Sequence, residues 1–190
     1  MMDLHVQSVS AGYGGLIVLR DFTFDFSPPG CYALMGPSGA GKTTLLRVLA
    51  GLLTPAGGTI GDFAGIRCAV QFQEDRLLEH LTVLQNVALV SDHERAERWL
   101  CALGMEEKLH VLPSALSGGQ KRRTALARAL AFGGDVLLLD EPFTGLDEAI
   151  RAEAGRLIRA HFQHVIFSTH DPAEAELMNA EIIRIMDNSK

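Results

Sequence analysis

Residues 36–43, GPSGAGKT, are the clearest structural signal in this chain of 190 residues. They follow the short apolar run 31–35 and precede apolar residues at helical spacing, namely Leu45, Leu46, Val48, Leu49 and Leu52. The pattern G-x-x-x-x-G-K-[ST] between a strand and a helix is typical of a loop whose backbone N–H groups bind phosphate. We expect Lys42 to reach the terminal phosphates of a nucleotide and the Thr43 hydroxyl to hold magnesium. The alternative is a glycine-rich turn that carries a lysine by chance.

The rest of the chain alternates between helix and strand patterns around this loop. Helix patterns at 126–131 and 150–162 are followed by apolar strands at 136–139 and 165–169, which predicts right-handed crossovers and a mostly parallel sheet. Residues 4–26 alternate apolar and polar side chains in short runs, which predicts an antiparallel pair of strands.

A separate helical region is predicted between the two halves, over residues 74–112. Thr82 with Gln85, and Ser91 with Glu94, have the spacing of helix capping boxes. A helical stripe closed by Gly104 follows, formed by Ala96, Trp99, Leu100 and Leu103.

These patterns predict one α/β domain over 1–190 with three parts. We expect an antiparallel β subdomain at 1–30, a phosphate-loop (P-loop) NTPase core at 31–73 and 124–190, and an inserted α-helical subdomain at 74–123.

Composition excludes several classes of protein. Lys and Arg number 17 against 23 Asp and Glu, a net charge of −6, so no global basic field exists for nucleic acid, and the basic run 121–123 is interpreted as a helix start. Three scattered cysteines predict free thiols in the cytoplasm rather than disulfides or a metal framework. No apolar run approaches a membrane span, and the first residues lack signal-peptide order, so we expect any membrane role to require a partner.

Two adjacent carboxylates end the predicted strand 136–139. Ligands bind at the carboxyl edge of such sheets, where the phosphate loop also lies. We therefore expect Asp140 to serve the metal and Glu141 to polarise the attacking water. The alternative is two acidic residues that merely end a strand.

A second anion-binding helix start occurs at residues 116–120, LSGGQ. With the phosphate loop and the acidic strand end, this motif resembles the ATP-binding-cassette (ABC) family. The resemblance implies that ATP lies between the phosphate loop of one subunit and Ser117, Gly118, Gly119 and Gln120 of a second subunit. It therefore implies a dimer, for which a homodimer is expected.

Further site residues are implied by this resemblance. In the phosphate loop they are Gly36, Pro37, Ser38, Gly39, Ala40, Gly41, Lys42, Thr43 and Thr44. Tyr13 matches the aromatic residue that stacks on adenine, with a plain strand residue as the alternative. Gln73 matches the glutamine that contacts Mg²⁺ and the attacking water, and Asp147 lies in the segment that crosses the dimer interface. His170 matches the histidine that contacts the terminal phosphate, although alone it would be an ordinary polar residue at a strand end.

Two features depart from the family pattern. Arg122 stands where many importer members have glutamine, and Ala180 with Glu181 replaces a frequent Asp-Arg pair. Both are expected to be peripheral to catalysis. No regulatory extension is expected after Met186.

The resemblance implies an ATP-binding and ATP-hydrolysing subunit that drives transport of a small solute. It would sit on the cytoplasmic face of the membrane, dock its helical region on a transmembrane permease through Leu77, Leu78 and Leu81, and act indirectly with an extracytoplasmic solute-binding protein. Residues 72–83 resemble the nitrate, sulfonate and taurine importers.

Other functions remain open at this point. A soluble ABC protein of DNA repair or translation would be expected to carry a coiled-coil insertion or a second cassette. A phosphate-loop kinase would not explain residues 116–120. A nucleotide-gated interaction module without turnover is disfavoured by Glu141 and His170.

Overall fold

Two β-sheets and six α-helices are formed by residues 4–61 and 65–186, the part of the chain that the computed structural model describes. The strands are β1 (His5–Tyr13), β2 (Leu16–Asp25), β3 (Gly30–Met35), β4 (Gly57–Ile60), β5 (Cys68–Gln71), β6 (Val136–Asp140), β7 (His164–Ser168) and β8 (Glu181–Arg184). The helices are α1 (Lys42–Leu49), α2 (Val83–Ala88), α3 (His93–Ala102), α4 (Gly118–Phe132), α5 (Glu148–His161) and α6 (Pro172–Leu177). Short 3₁₀ helices cover Glu106–Lys108 and Pro113–Ala115. The ends of the predicted subdomains, 1–3 and 187–190, lie outside the described residues.

The smaller sheet is antiparallel, with strand order β2-β1-β4. Its β1–β2 pair confirms the prediction for residues 4–26. Strand β4 lies inside the stretch 31–73 predicted for the core, yet it pairs with β1, with Val6 opposite Ile60. The sequence of β4, GGTI, has no apolar alternation that could have indicated this pairing.

The larger sheet is parallel, with strand order β5-β6-β7-β3-β8. All five residues of β6 and of β7 are buried, as expected for central strands covered on both faces. The register places Asp140 beside Ser168, and Ser168 beside Leu34. The carboxyl ends of β3, β6 and β7 therefore meet at one edge of the sheet.

Helices α2, α3 and α4 form the predicted helical region, with two differences at its boundaries. The predicted capping box of α2 is present, since the Gln85 N–H donates to Thr82 Oγ1 at 3.2 Å. The predicted box at Ser91 is wrong: Asp92 caps α3 instead, accepting from the Arg95 N–H at 2.7 Å. Helix α4 is continuous across the predicted boundary between residues 123 and 124.

Helix α1 is shorter than its apolar pattern predicts. It ends at Leu49, and Leu52 lies beyond it with 58% of its surface exposed. Gly51, at φ 69°, has the left-handed conformation that commonly ends a helix.

Apolar residues fill the space on both faces of the parallel sheet. One core lies between this sheet, α1 and the antiparallel sheet, and includes Val6, Leu19, Phe26, Leu45, Leu138 and Ile166. The other packs the helical region and α5 on the opposite face, and includes Leu100, Leu126, Leu139, Phe143, Ile158 and Phe167. Within residues 4–61 and 65–186, no helix has the length and apolar character needed to span a membrane.

Candidate nucleotide-binding site

The phosphate loop connects β3 to α1 and is organised around the Lys42 ammonium. Lys42 Nζ donates to the carbonyl oxygens of Gly36 at 2.7 Å and Pro37 at 2.9 Å. Gly39 (φ 84°) and Gly41 (φ 101°) adopt backbone conformations that side chains rarely tolerate. These glycines turn the loop into the start of α1, where N–H groups without helical partners favour an anion.

The loop also packs closely against the end of β8. A Cβ atom on Gly36 would lie 2.2 Å from the carbonyl oxygen of Ile185, so a side chain there would displace the backbone. Ala40 and Thr44 are buried and anchor the loop from below. Packing against the end of β8 and the protein interior therefore fixes the conformation of the loop.

A cavity of about 180 Å³ opens beside the loop. It is lined by Val18, Ser38, Gly39, Gly41, Lys42, Thr43, Thr44, Gln73 and Glu141. The structure thus brings Gln73 and Glu141, which are distant in sequence, to the predicted phosphate site. Val18 was not predicted, because an apolar residue on β2 carries no chemical signal of its own.

Asp140, at the end of β6, and Glu141, directly after it, both bind a serine that the sequence analysis missed. Ser168 is fully buried, and its hydroxyl donates to Asp140 Oδ1 at 2.5 Å while accepting from the Glu141 N–H at 2.9 Å. Glu141 has φ 50°, a conformation that a residue other than glycine rarely adopts and that is often retained at functional sites. The available sequence signal was that Ser168 is a polar residue directly after the apolar run 165–167.

His170 lies next to Glu141, with 4.0 Å between His170 Nδ1 and Glu141 Oε1. The imidazole side chain is 73% exposed, so it can approach a ligand above the loop. The turn that carries it is fixed by Thr169, which donates to Glu174 Oε2 at 2.5 Å and accepts from the Asp171 N–H at 3.0 Å. Burial raises the pKa of the Glu174 carboxyl.

These groups fit a magnesium nucleotide. The loop offers an ammonium and a helix N-terminus to phosphate oxygens, and its open side has no atom within 4 Å of a Cβ built on Gly39. The Thr43 hydroxyl, the Gln73 amide and the Asp140 carboxylate supply the oxygen donors that Mg²⁺ prefers. These three residues also line a narrower cavity next to the first one.

The signature residues lie at a different place, at the start of α4. Ser117 caps this helix: the Gln120 N–H donates to Ser117 Oγ at 3.3 Å, and the Ser117 N–H donates to Gln120 Oε1 at 2.9 Å. Ser117 and Gly118 are exposed, and none of residues 117–120 lines the cavity at the phosphate loop. Gly119 packs closely on the turn after β6, since a Cβ there would lie 2.8 Å from the carbonyl oxygen of Gly145.

The two remaining predicted residues are at the surface. Tyr13 is 43% exposed at the end of β1, and its hydroxyl accepts a hydrogen bond from Arg47 Nη1 at 2.9 Å. Asp147 caps α5 by accepting from the Ile150 N–H at 3.0 Å, and its side chain faces solvent beside this helix start. Their predicted roles toward adenine and the dimer interface stay predictions.

Comparison with known proteins identifies the family. A family model described as "ABC transporter" matches residues 19–144. The chain belongs to the ABC transporter family. It is therefore an ATPase of the ABC type with a P-loop α/β fold, as its sequence predicts, and the soluble alternative in DNA repair or translation is not favoured.

Curated relatives of this ABC protein include import subunits. The chain is 41% identical over 202 residues to the aliphatic sulfonates import ATP-binding protein SsuB 2 of Xanthomonas axonopodis pv. citri (strain 306), covering 100% of the chain and 69% of the relative. It is 38% identical to the sulfate/thiosulfate import ATP-binding protein CysA of Synechocystis sp. (strain ATCC 27184 / PCC 6803 / Kazusa), covering 100% of the chain and 59% of that relative.

Solved structures agree with this assignment. The dimeric structure of MJ0796, a bacterial ABC transporter cassette, superposes with a TM-score of 0.85 at 27% identity, covering 97% of this chain and 94% of that one. A post-hydrolysis dimer of the same cassette bound to ADP and Pi gives a TM-score of 0.83 at 26% identity, covering 97% and 96%.

Proposed function

We propose that this ABC ATPase hydrolyses MgATP in the cavity beside the phosphate loop and uses the energy to drive solute import through a separate permease. The observation that supports this most directly is the cavity lining, which combines Lys42 and Thr43 with Gln73 and Glu141. Phosphoryl transfer to water requires positioned groups and charge stabilisation more than covalent chemistry. The loop binds the phosphates, and Tyr13 stacks on the adenine ring.

Glu141 is the proposed general base. Glu141 lines the cavity, and its N–H donates to the Ser168 hydroxyl, which restricts the backbone from which the side chain extends. A carboxylate in hydrogen-bond reach of a water can accept its proton as the water attacks. His170 Nδ1 lies 4.0 Å from Glu141 Oε1, so both side chains can reach the same terminal phosphate.

Magnesium would be held by Thr43, Gln73 and Asp140. When bound, the ion would neutralise charge that develops on the phosphate oxygens. Asp140 is 6% exposed and already accepts a hydrogen bond from Ser168, which holds one oxygen in place and leaves the other for the metal shell.

A second copy of the chain is proposed to complete each site. Within one chain the start of α4 does not line the phosphate cavity: Ser117 and Gly118 are exposed, and Gly119 and Gln120 are partly buried. A helix N-terminus of this kind is suited to the terminal phosphate of a nucleotide held by another subunit. The dimeric cassettes to which this chain is similar support the arrangement. Asp147 is proposed to lie near the interface.

The cargo is proposed to be an organic sulfonate or a related oxyanion, because the relatives named above import aliphatic sulfonates and sulfate or thiosulfate. An extracytoplasmic solute-binding protein and the permease would select it. The helical region would dock on cytoplasmic loops of the permease, with Leu78, Leu89 and Val90 as exposed apolar residues. Leu77 and Leu81 are less available than predicted, because both are partly buried.

The substitution Glu141→Gln tests the mechanism. It should retain ATP binding, since the loop is untouched, but lower the turnover rate at least about a hundredfold and accumulate an ATP-bound dimer. Glu153→Gln, at a partly exposed position on α5, is the matched control and should behave as the unmodified protein. Gel filtration with MgATP and a phosphate-release assay give both readouts.

Rapid turnover by Glu141→Gln would refute the role of Glu141. The transport assignment is tested separately by purifying this variant with MgATP from gently solubilised membranes. Recovery of a stoichiometric membrane protein whose genomic neighbours encode sulfonate handling supports it. Recovery of soluble proteins alone, with ATP-dependent dimers intact, would retain the ATPase and reject the importer.

A further inference from the structure

Arg122, which departs from the family pattern, has a largely buried side chain with defined contacts. It lies on α4, and its side chain is only 12% exposed. Its Nη1 atom donates to the carbonyl oxygen of Phe72 at 3.2 Å and lies 3.4 Å from Asp75 Oδ1. The expectation that Arg122 is peripheral to catalysis stays a prediction, but its guanidinium binds the loop that carries Gln73.

A second arginine of α4 binds the same loop. Arg128 donates to the carbonyl oxygen of Asp75 at 2.8 Å through Nη2 and to that of Arg76 at 3.0 Å through Nη1. Three carbonyl groups of the irregular segment 72–76 thus accept hydrogen bonds from one helix. Arg76 itself has φ 47° and stacks over Phe72 at 4.3 Å, so the segment has a defined conformation.

The charged groups in these contacts are partly buried, so burial changes their pKa values. Burial raises the pKa of the Asp75 carboxyl, and the positive charge of Arg122 opposes that shift. Burial also lowers the pKa of the Arg128 guanidinium. Removing Arg122 would leave the partly buried Asp75 carboxylate without the cation that it pairs with, which costs more than the loss of a surface ion pair.

The bond to Phe72 acts on Gln73 through the peptide plane. The carbonyl of Phe72 and the N–H of Gln73 belong to one rigid unit, so fixing the carbonyl direction restricts the backbone from which the Gln73 side chain extends. Phe72 and Gln73 both line the narrow cavity shared with Thr43 and Asp140. A small error in that backbone would move the Gln73 amide away from the metal and the attacking water.

We infer that Arg122 is a positioning residue that holds Gln73 in its catalytic orientation and ties it to the start of α4. This inference rests on the role proposed above for Gln73. Arg122 follows Ser117 by five residues, about 7.5 Å along the helix axis. A displacement of the α4 start by a nucleotide held on the other subunit would therefore be transmitted to Gln73 of the same chain.

The test is a double-mutant cycle on the full chain. Arg122→Met removes the donors and keeps most of the side-chain length, and we expect the kcat for ATP hydrolysis to fall about tenfold with the KM for ATP changed less than about twofold. Gln73→Ala should lower kcat at least as much. Because Arg122 acts through Gln73, adding Arg122→Met to Gln73→Ala should cause no further loss.

Limited digestion by trypsin supplies a readout that does not depend on turnover. Without nucleotide, cleavage after Arg76 should be at least about tenfold faster in Arg122→Met than in the unmodified protein, because the segment 72–76 must open before the protease can bind it. Arg156→Met, which removes an exposed ion-paired arginine of α5, is the matched control and should leave both this rate and kcat unchanged. If Arg122→Met does not fold, Arg122→Lys should fold and show an intermediate loss, because its ammonium can reach one acceptor at a time.

The possible failures are distinguishable. An equal loss of kcat from Arg122→Met in both backgrounds, or an unchanged rate of cleavage after Arg76, would overturn the inference about Arg122 and leave the role of Gln73 intact. Full activity of Gln73→Ala would reject the proposed role of Gln73, and the inference about Arg122 with it.

Discussion

Removing the buried Ser168 hydroxyl should disturb both Asp140 and Glu141, whose carboxylates belong to the proposed site. The Ser168 hydroxyl is fully buried, donates to Asp140 Oδ1 at 2.5 Å and accepts from the Glu141 N–H at 2.9 Å. Ser168→Ala would leave the partly buried Glu141 N–H without this partner and remove the donor of the carboxylate of Asp140, a residue that is 6% exposed. At about 1–3 kcal/mol for each of these two groups left unsatisfied, the loss of unfolding free energy should be about 2–6 kcal/mol.

Activity should fall as well. Glu141 has the unfavourable φ of 50°, and the bond from its N–H to Ser168 is part of what holds it there. Without that bond the peptide can relax, the carboxylate loses its aim, and kcat should decrease at least about tenfold. The KM for ATP should change little, because the Lys42 contacts with the loop do not involve Ser168.

Urea denaturation followed by circular dichroism measures the first effect, and steady-state phosphate release measures the second. Thr124→Val is the matched control, since it deletes a fully buried hydroxyl that only donates back to the Gln120 carbonyl within α4. Its cost should stay below about 1 kcal/mol. If Ser168→Ala were as stable and as active as Thr124→Val, the argument that Ser168 positions both carboxylates would be wrong.

Two further substitutions test the surroundings of the site. At pH values above the ordinary pKa of glutamate, Glu174→Gln should become more stable relative to the unmodified protein. Burial raises the pKa of Glu174 in the folded state, so the folded form keeps a proton that the unfolded form has lost. As the pH rises and that proton leaves, the unmodified protein loses stability, whereas the Gln variant does not. Thermal denaturation at several pH values from about 4 to about 7 checks this, and parallel curves for the two proteins would contradict it. Gly119→Ala should reduce the unfolding free energy by about 1–3 kcal/mol, because its Cβ would lie 2.8 Å from the Gly145 carbonyl oxygen. Gly118→Ala, which meets nothing within 4 Å, should cause no such loss in the same urea titration, and an equal loss for both would refute the steric argument.

Local signals made the central part of the fold predictable. The phosphate loop, the apolar strand before Asp140 and the cap at Thr82 each depend on residues a few positions apart, and all three form as predicted. Strands β6 and β7 are buried on both faces, so their continuous apolar runs were distinctive.

Elements without local periodicity were missed. Strands β4, β5 and β8 have only four residues each, and α6 has six, too few to establish a period in the sequence. Strand β4 also pairs with β1 across about fifty residues of chain, and β8 is recognisable only from its pairing with β3. Such partners are chosen by the packing of the whole domain rather than by their own residues.

The same distinction applies to the site. Motif residues such as Lys42, Thr43 and Glu141 were identified because phosphate chemistry requires those residue types at those positions. Ser168 and Arg122 were not, because each acts on the site through a contact between distant segments: 27 residues separate Ser168 from Glu141, and 50 separate Arg122 from Phe72. A hydroxyl or a guanidinium becomes informative only when the fold shows which backbone group it binds.

In the proposed dimer, each chain would contribute its phosphate cavity to one catalytic site and its start of α4 to the other. The phosphate cavity lies at the carboxyl edge of the parallel sheet, and residues 117–120 at the start of α4 do not line it. The loop 72–76 accepts hydrogen bonds from α4 and also lies beside the cavity through Gln73. If a second subunit places its nucleotide on α4, the displacement reaches Gln73 without any change in the phosphate loop. Binding of the nucleotide to the phosphate loop would then need one subunit, whereas completion of the site and the rate of hydrolysis would depend on both.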